Sequence, residues 1–349
     1  MIDFRENVKR MQGYVPGEQP LPGAKVVKLN TNENPYPPSP EVMKVLHEFD
    51  GDWLRRYPEP AATAVREAAA RVYGVPADWI VAANGSDETL ALLARALLEP
   101  GRTVAYPTPT YSLYVTLAEM QDASVVEVPY DDDYNLPVKG LLDVGADLTF
   151  VCSPNNPSAT VAAEADLERL ATGLSGVLVI DEAYADFADE NGLGLVGRHE
   201  NVIVLRTLSK GYSLAGLRLG LGVAQPPLLE GLQKIKDSYN VDSVALRLGA
   251  AALADQAWVE VNADRIKASR TALAEALAAM GFRVWPSQAN FVMARPPQGD
   301  AGRLYEQLRE RGILVRYWDR PRLADKLRIT VGTDEENQVL VEALRELTA

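Results

Sequence analysis

Three residues have side chains that could take part in catalysis: an amide, a carboxylate and a lysine. Each of them follows a short apolar run. They are Asn156, Asp181 and Lys210. In open α/β sheets ligands bind beyond the carboxyl ends of the strands, so three neighbouring strand ends would bring these groups into one crevice. Each residue taken alone also fits an ordinary structural role: Asn156 as a turn amide, Asp181 as a helix cap and Lys210 as a surface lysine. Their coincidence at successive strand ends favours a shared site.

One cofactor chemistry needs this set of groups. A lysine amine can form a Schiff base with an aldehyde. Pyridoxal 5′-phosphate also requires a carboxylate against its ring nitrogen, because the protonated ring is the electron sink, and hydrogen bonds to its ring hydroxyl. The sequence therefore predicts a pyridoxal 5′-phosphate site in which Lys210 carries the cofactor and Asp181 faces the ring nitrogen.

An anion site for the cofactor's phosphate is visible at Asn84–Glu88, which leads directly into a helical pattern. Helix N-termini present free N–H groups and the positive end of the helix dipole, which suits a phosphate. The same residues also make an ordinary helix cap, so this signal is weak alone. Ser209 and Arg218 are further candidates for the phosphate site.

The elements that must position these residues alternate along the middle of the chain. Short apolar runs at strand length are separated by helical stretches, which indicates βα units and a mostly parallel sheet covered on both faces. The runs are Thr103–Tyr106, Ser124–Val128, Leu148–Cys152, Val177–Ile180 and Val202–Leu205, and the helices include Ala61–Tyr73 and Asp87–Leu98. The predicted fold class is α/β, with a large domain of this kind plus a small α+β domain.

The ends of the chain have a different character from its middle. Two long helical patterns occupy about 226–280, and short strands and helices alternate after them. We expect an N-terminal arm and part of the small domain at 1–45, a large cofactor-binding domain at 46–280, and the rest of the small domain at 281–349.

Composition excludes several other functions. The 349 residues carry a net charge of −13, which disfavours a nucleic-acid partner. One cysteine rules out an intramolecular disulfide, and the two histidines, His47 and His199, make a metal site improbable. No apolar run reaches the roughly 18 residues of a membrane helix, and the start does not read as a secretory signal. We therefore expect a cytoplasmic protein.

The order of the motifs resembles that of the fold-type I aminotransferases of class I/II, from about residue 14 to the end. The motifs are Tyr57-Pro58, Gly85-Ser86-Asp87-Glu88, Pro109-Thr110-Tyr111, Asn156-Pro157, Asp181-Glu182-Ala183-Tyr184, Ser209-Lys210, Arg218 and Arg328. A narrower likeness is to the branch of the family that acts on histidinol phosphate. It lies in Asn32-Glu33-Asn34-Pro35, Arg56-Tyr57-Pro58-Glu59, Arg206-Thr207-Leu208-Ser209-Lys210, Ala215–Gly220 and Leu327–Thr333.

The resemblance implies a role for each matching residue. Lys210 would carry the cofactor and move the proton during the reaction. The other implied cofactor contacts are Asp181 at the ring nitrogen, Tyr184 and Asn156 at the ring hydroxyl, Tyr111 stacked on the ring, and Ser86, Asp87, Ser209 and Arg218 at the phosphate. Tyr57 would reach the phosphate of the neighbouring subunit, which implies a homodimer.

The resemblance also implies the substrates. L-histidinol phosphate carries a phosphate and no α-carboxylate, whereas its partner pair, glutamate and 2-oxoglutarate, carries two carboxylates. Arg328 would bind the substrate carboxylate in bidentate fashion, as a planar guanidinium does, and Arg328 and Arg316 together could serve either set of anions. The implied substrate contacts are completed by Arg316, Tyr14 and Asn32.

Several alternatives remain open at this stage. The same fold can act on an aromatic amino acid or decarboxylate a phospho-amino acid. A non-enzymatic regulator is disfavoured because the chain is acidic and shows no segment for a DNA-binding domain, and a Rossmann dehydrogenase because no G-x-G-x-x-G follows a first strand. One departure is Ser158-Ala159, where the family has Thr-Gly; alanine disfavours a positive φ, so we expect this turn to differ.

Overall fold

The computed structural model describes residues 2–14, 17–21, 23 and 25–348, which form thirteen α-helices and twelve strands. The strands are β1 (Val27–Lys28), β2 (Ile80–Asn84), β3 (Thr103–Thr108), β4 (Ser124–Pro129), β5 (Leu148–Cys152), β6 (Val177–Asp181), β7 (Val202–Thr207), β8 (Leu219–Ala224), β9 (Arg283–Val284), β10 (Phe291–Arg295), β11 (Ile313–Leu314) and β12 (Leu327–Thr330). The helices are α1 (Glu6–Arg10), α2 (Pro40–His47), α3 (Gly51–Leu54), α4 (Thr63–Tyr73), α5 (Ser86–Leu97), α6 (Leu113–Met120), α7 (Val138–Val144), α8 (Glu164–Gly173), α9 (Pro226–Ile235), α10 (Ser243–Ala254), α11 (Gln256–Ala279), α12 (Ala301–Glu310) and α13 (Asp334–Thr348).

The larger sheet has the strand order β2-β8-β7-β6-β5-β3-β4. Every neighbouring pair is parallel except the two pairs that involve β8, which runs antiparallel to both β2 and β7. All residues of β5 and β7 are buried, because helices cover both faces of the sheet. This confirms the predicted α/β class with a mostly parallel sheet.

The five apolar runs named from the sequence all form strands, with ends that shift by at most two residues. Strands β2 and β8 were missed. Gly220 and Gly222 weaken the strand pattern of β8, since glycine disfavours strands where nothing else compensates. The prediction of two helices over 226–280 was wrong in number: three helices form, because an irregular segment ends at Asp242, whose side chain caps α10.

The smaller unit contains the antiparallel sheet β12-β10-β9 and the parallel pair of β1 with β11. Leu29, just after β1, lies in the same apolar cluster as Ile313 and Leu327. The N-terminal segment around β1 therefore packs with the C-terminal strands. The exact domain boundaries at 45 and 280 stay a prediction.

Strand β8 owes its close packing to a glycine. A Cβ atom added to Gly220 would lie 2.3 Å from the backbone nitrogen of Ser86, the first residue of α5. Backbone atoms cannot yield as a flexible side chain can. The absence of a side chain at Gly220 thus sets how near the start of α5 comes to the sheet.

We predict that Gly220→Ala lowers the free energy of unfolding by roughly 1–3 kcal/mol, because the added methyl group must push two backbone segments apart. Chemical denaturation measures the change. Gly231→Ala is the matched control: it lies within α9 with open space at its Cβ, and should raise stability by roughly 0.5–1 kcal/mol. Equal stability of the wild type and Gly220→Ala would contradict the proposed contact.

Candidate active site

A cavity of about 600 Å³ opens at the carboxyl ends of the central strands. All but one of the residues predicted for the site line it: Tyr14, Asn32, Ser86, Asp87, Tyr111, Asn156, Asp181, Tyr184, Ser209, Lys210, Arg218, Arg316 and Arg328. The exception is Tyr57, whose surface is 82% exposed and whose ring stacks on Tyr239 with centroids 4.5 Å apart. The fold thus gathers residues from both ends and the middle of the chain.

Asp181 is the last residue of β6 and is only 3% exposed. The hydroxyl of Tyr114 donates a hydrogen bond to it over 2.8 Å, and the backbone N–H of Ala183 donates another over 3.3 Å. Burial raises the pKa of Asp181 to about 6, and the bond from Tyr114 opposes that shift. Within the described part of the chain Asp181 forms no ion pair, so its carboxylate suits a cationic ligand atom.

Lys210 follows β7 in an irregular segment. Its Nζ donates a hydrogen bond to the backbone oxygen of Thr31 over 3.2 Å and lies 5.7 Å from the centre of the Tyr184 ring. Burial lowers the pKa of Lys210 to about 8, with a further contribution from the positive charge of Arg328. A substantial fraction of the amine is therefore neutral near pH 8, which a nucleophile or a base requires.

Arg328 is buried at the back of the cavity. Its Nη1 donates to Oδ1 of Asn156 over 2.7 Å and its Nη2 to the backbone oxygen of Asn30 over 2.6 Å, while its Nε has no partner among the described atoms. Burial lowers the pKa of Arg328 to about 10. Arg316 lies beside it, since the backbones of the two residues exchange hydrogen bonds of 2.9 Å. Two cationic side chains thus face the same cavity.

Asn32 lines the cavity, but both polar groups of its side chain form hydrogen bonds with other residues. Its Nδ2 donates to the hydroxyl of Tyr184 over 3.0 Å, and its Oδ1 accepts from the hydroxyl of Thr330 over 3.0 Å. Burial raises the pKa of Tyr184, so its hydroxyl stays protonated. The geometry makes Asn32 an orienting group for Tyr184.

A second cationic corner lies at the start of α5. Arg218 approaches Oδ2 of Asp87 at 3.3 Å and Oγ of Ser209 at 3.4 Å. Gly85, with a φ of 79°, precedes the helix, and no described side chain caps it. A Cβ at Gly85 would come within 2.7 Å of Arg218, so the missing side chain leaves room for the guanidinium beside the N-terminal amides of α5. This corner suits a phosphate.

Two aromatic residues to which the sequence analysis assigned no role support the site, Tyr114 through Asp181 and Trp318 as part of the cavity lining. Tyr114 is fully buried in α6 and donates to Asp181, a tertiary contact that no spacing in the sequence indicates. Trp318 lines the wall and lies 5.3 Å from the Arg328 guanidinium. The Tyr111 hydroxyl donates to Asp87 over 3.2 Å, and the Tyr14 ring meets the Tyr111 ring edge-on at 5.9 Å.

The turn at Ser158-Ala159 keeps a left-handed residue at the family's glycine position. Ala159 has a φ of 65° and is fully buried. Its N–H donates to the oxygen of Asn155 over 2.7 Å and its carbonyl accepts from Gln288. Surrounding bonds thus hold the alanine in a conformation that it disfavours alone.

The residues present fit pyridoxal phosphate. A buried carboxylate without a counter-ion among the described residues, an amine with a lowered pKa and an anion corner lie in one cavity, which matches the ring nitrogen, the aldehyde and the phosphate of that molecule. Clusters of metal-ligating side chains are not found among the described residues. Likewise, the described helices include none with the length and apolar composition that spanning a bilayer requires.

Comparison with known proteins gives a consistent result. Residues 24–344 match the family described as aminotransferase class I and II. The chain is 56% identical over 344 residues to histidinol-phosphate aminotransferase 1 of Trichormus variabilis, covering 99% of this chain and 98% of that protein. It is 47% identical over 348 residues to the histidinol-phosphate aminotransferase of Geobacter sp. strain M21, covering 99% of both.

A solved structure agrees in fold. The crystal structure of histidinol-phosphate aminotransferase from Sinorhizobium meliloti, in complex with pyridoxal-5′-phosphate, superposes with a TM-score of 0.91 at 26% sequence identity. The match covers 99% of this chain and 97% of that one.

The raised pKa of Asp181 makes a prediction about stability. Between its ordinary value of 3.8 and about 6, the folded ligand-free protein binds this proton more tightly than the unfolded chain does. The contribution of Asp181 to the free energy of unfolding is therefore fully present below pH 4 and is lost as the pH rises to about 6. The loss amounts to roughly 3 kcal/mol.

Denaturation of the ligand-free wild type and of Asp181→Asn at several pH values measures this contribution. Asn cannot ionise, so the variant should gain stability relative to the wild type across that pH range. A constant difference between the two proteins from pH 4 to pH 7 would rule out a raised pKa at Asp181.

Proposed function

The chain belongs to the aminotransferase class I and II family, and we propose that it transfers an amino group between L-histidinol phosphate and 2-oxoglutarate, a step of histidine biosynthesis. The full-length identity to relatives with that activity in their names supports this substrate. The observation that carries it is the pair of neighbouring arginines, Arg316 and Arg328, in one cavity with the cofactor residues. Such a pair can bind a phosphate or a carboxylate in turn.

Pyridoxal phosphate is the cofactor. When bound, it supplies an aldehyde that condenses with an amine and a protonated ring that accepts the electron pair left by a broken bond. In this proposal Asp181 keeps the ring nitrogen protonated, because a buried carboxylate is stabilised by the positive charge beside it. Tyr184 and Asn156 would bond the ring hydroxyl, and Tyr111 would stack on the ring.

The phosphate of the cofactor is assigned to the corner at the start of α5. Ser86 and Asp87 begin that helix, and Ser209 and Arg218 face it. The Arg218 guanidinium neutralises the anion, while the helix N-terminus supplies N–H donors. Asp87 bonds both Tyr111 and Arg218, and so links the stacking ring to the phosphate corner.

Lys210 holds the proton that moves during transfer. Because its pKa is lowered to about 8, the amine can remove a proton from the substrate Cα near neutral pH. It would then give that proton to C4′ of the cofactor. Burial keeps water from competing for that proton. The Thr31 carbonyl accepts a hydrogen bond from the amine and so fixes its direction.

The substrate's phosphate is assigned to Arg328, Arg316 and Tyr14, which line one side of the cavity. Arg328 reaches Asn156 and the Asn30 carbonyl through its two terminal nitrogens, so it is held before any substrate binds. A guanidinium that needs no reordering loses less side-chain entropy on binding. The α-carboxylate of glutamate would use the same arginines in the other half of the reaction.

We further propose a cytoplasmic homodimer in which Tyr57 of one subunit reaches the cofactor phosphate of the other. The supporting observation is that Tyr57 lies outside the cavity of its own subunit and is largely exposed. Its ring already stacks on Tyr239, so the aromatic pair forms a preformed surface rather than a loose side chain.

The substrate proposal predicts the outcome of a single-turnover titration. With 2-oxoglutarate withheld, L-histidinol phosphate should remove the visible absorption of the bound cofactor. L-histidinol and phenylalanine should need roughly 100-fold higher concentrations, because each lacks a phosphate that makes two charge-assisted hydrogen bonds of about 1.5 kcal/mol each. Stopped-flow absorbance measures all three.

The control for this titration is Lys210→Ala, which should show no turnover with any donor. If phenylalanine removes the visible absorption of the wild-type enzyme and L-histidinol phosphate does not, the substrate proposal is wrong and the amino donor is an aromatic amino acid. Release of carbon dioxide from a phospho-amino acid would instead favour the decarboxylase.

Mixed dimers test the role of Tyr57. Tyr57→Phe and Lys210→Ala subunits each damage one component of a shared site, so in a mixed dimer one site receives both lesions and the other receives neither. Mixing two weakly active proteins should therefore restore activity up to one intact site per mixed dimer, and mixed dimers make up about half of the dimers formed from equal amounts. Activity that equals the average of the two parent proteins would contradict a site shared between subunits.

A further inference from the structure

The five residues from Asn30 to Asn34 lie between β1 and α2 in a stretch without regular secondary structure, and the first three of them line the cavity. Three of them bond to functional side chains. The pairs are the Asn30 carbonyl with Arg328 at 2.6 Å, the Thr31 carbonyl with Lys210 at 3.2 Å, and the Asn32 amide with Tyr184 at 3.0 Å. One short segment therefore orients groups that lie about 150 to 300 residues away in sequence.

Asn34, the last residue of this segment, bonds to main-chain atoms instead. Its Nδ2 donates to the backbone oxygen of Lys210 over 3.1 Å and to that of Gly211 over 3.2 Å. Its Oδ1 accepts from the backbone N–H of Tyr36 over 3.0 Å, which fixes the direction of the amide. The amide thus binds two successive carbonyls at the reactive lysine.

The same peptide is held from its other side by Asp186. The Asp186 carboxylate packs against Gly211, and the backbone N–H of Gly211 opposes the rise that burial causes in the pKa of Asp186. A Cβ at Gly211 would lie 2.2 Å from Oδ2 of Asp186, so the contact is possible only because residue 211 is glycine. Asn34 on the carbonyl side and Asp186 on the N–H side therefore enclose the Lys210-Gly211 peptide.

This enclosure matters because no helix or strand holds Lys210. The residue lies between the end of β7 and a short 3₁₀ turn at Ala215–Leu217, and its carbonyl accepts a backbone N–H from Ser213 at 3.3 Å, a longer bond than the 3.1 Å bond from Asn34. A lysine side chain has four rotatable bonds, and the position of its amine follows the placement of its backbone. The contact of its Nζ with the Thr31 carbonyl therefore depends on where the peptide is held.

We propose that Asn34 is a positioning residue for Lys210, which holds the backbone of the lysine so that its amine stays in the cavity. The proposal rests on the proposed role of Lys210 as the residue that carries the cofactor. Asn34 itself touches neither the cofactor nor the substrate in this assignment. Its effect passes through the two carbonyl oxygens.

The consequence is a specific change in the chemistry of the amine. Without the two hydrogen bonds, the Lys210 peptide moves and the side chain gains contact with water. Since burial is the main cause of the lowered pKa of Lys210, that pKa should rise from about 8 toward its ordinary value of 10.5. Less neutral amine would then be present at a given pH.

The test measures how fast the full-length protein, freed of cofactor, captures pyridoxal 5′-phosphate at different pH values. Capture needs the neutral amine, so the midpoint of the pH profile reports the pKa of Lys210. In Asn34→Ala we expect the midpoint to rise by about one pH unit. Asn34→Ser, which retains a hydroxyl donor, should fall between Asn34→Ala and the wild type.

Asn201→Ala is the matched control. The Asn201 amide likewise donates to backbone oxygens, those of Ala171, Leu174 and Gly176, but at the opposite end of β7. Both alanine variants should unfold at a lower temperature, and only Asn34→Ala should shift the capture midpoint. This separates positioning of the amine from a general loss of stability.

A folded Asn34→Ala protein with the wild-type midpoint would overturn the inference, and so would an equal shift in Asn201→Ala. If Asn34→Ala does not fold, Asn34→Ser decides by the same measure. The role of Lys210 is tested separately by Lys210→Ala: covalent capture that persists in this variant would refute the proposed function rather than the role of Asn34.

Discussion

The structure depends on charged groups that are buried without counter-ions. Asp181, Lys210 and Arg328 take part in no ion pair with another described residue, and burial shifts the pKa of each toward its neutral form. Leaving a charge buried and unpaired costs several kcal/mol. In the proposed enzyme the ligands supply the missing charges: a protonated ring for Asp181, and a phosphate or carboxylate for Arg328. Ligand binding thus gains free energy because it removes the cost of keeping these charges buried and unpaired.

Two features of the fold hold these buried groups in the cavity: the ends of the central strands and an N-terminal segment that packs beside them. Strands β5, β6 and β7 end at the same edge of the sheet, and the loops after them carry Asn156, the Tyr184 segment and Lys210. The segment from Asn30 to Asn34 then crosses this edge from the small unit. Because it bonds to both the lysine backbone and Arg328, it connects the cofactor side of the cavity to the substrate side.

Much of this arrangement was predictable from the sequence. Buried parallel strands are continuous apolar runs, so the strand ends and the polar residues after them could be named. Strand β8 could not, since Gly220 and Gly222 pack closely against the region of α5, and this tertiary contact offsets the poor strand propensity of glycine. Tyr114 and Asp186 were missed for another reason: their roles are contacts with Asp181 and Gly211, and such pairings depend on tertiary packing that residue types do not encode.

The central claim is that Lys210 is the residue that bonds to the cofactor. Reduction of the holoenzyme with sodium borohydride would fix that bond, and mass spectrometry of the digested protein would locate the cofactor on one peptide. The account predicts a single label on Lys210. A label on Lys28, which instead pairs with Glu33 near the cavity, or on any other lysine would contradict it.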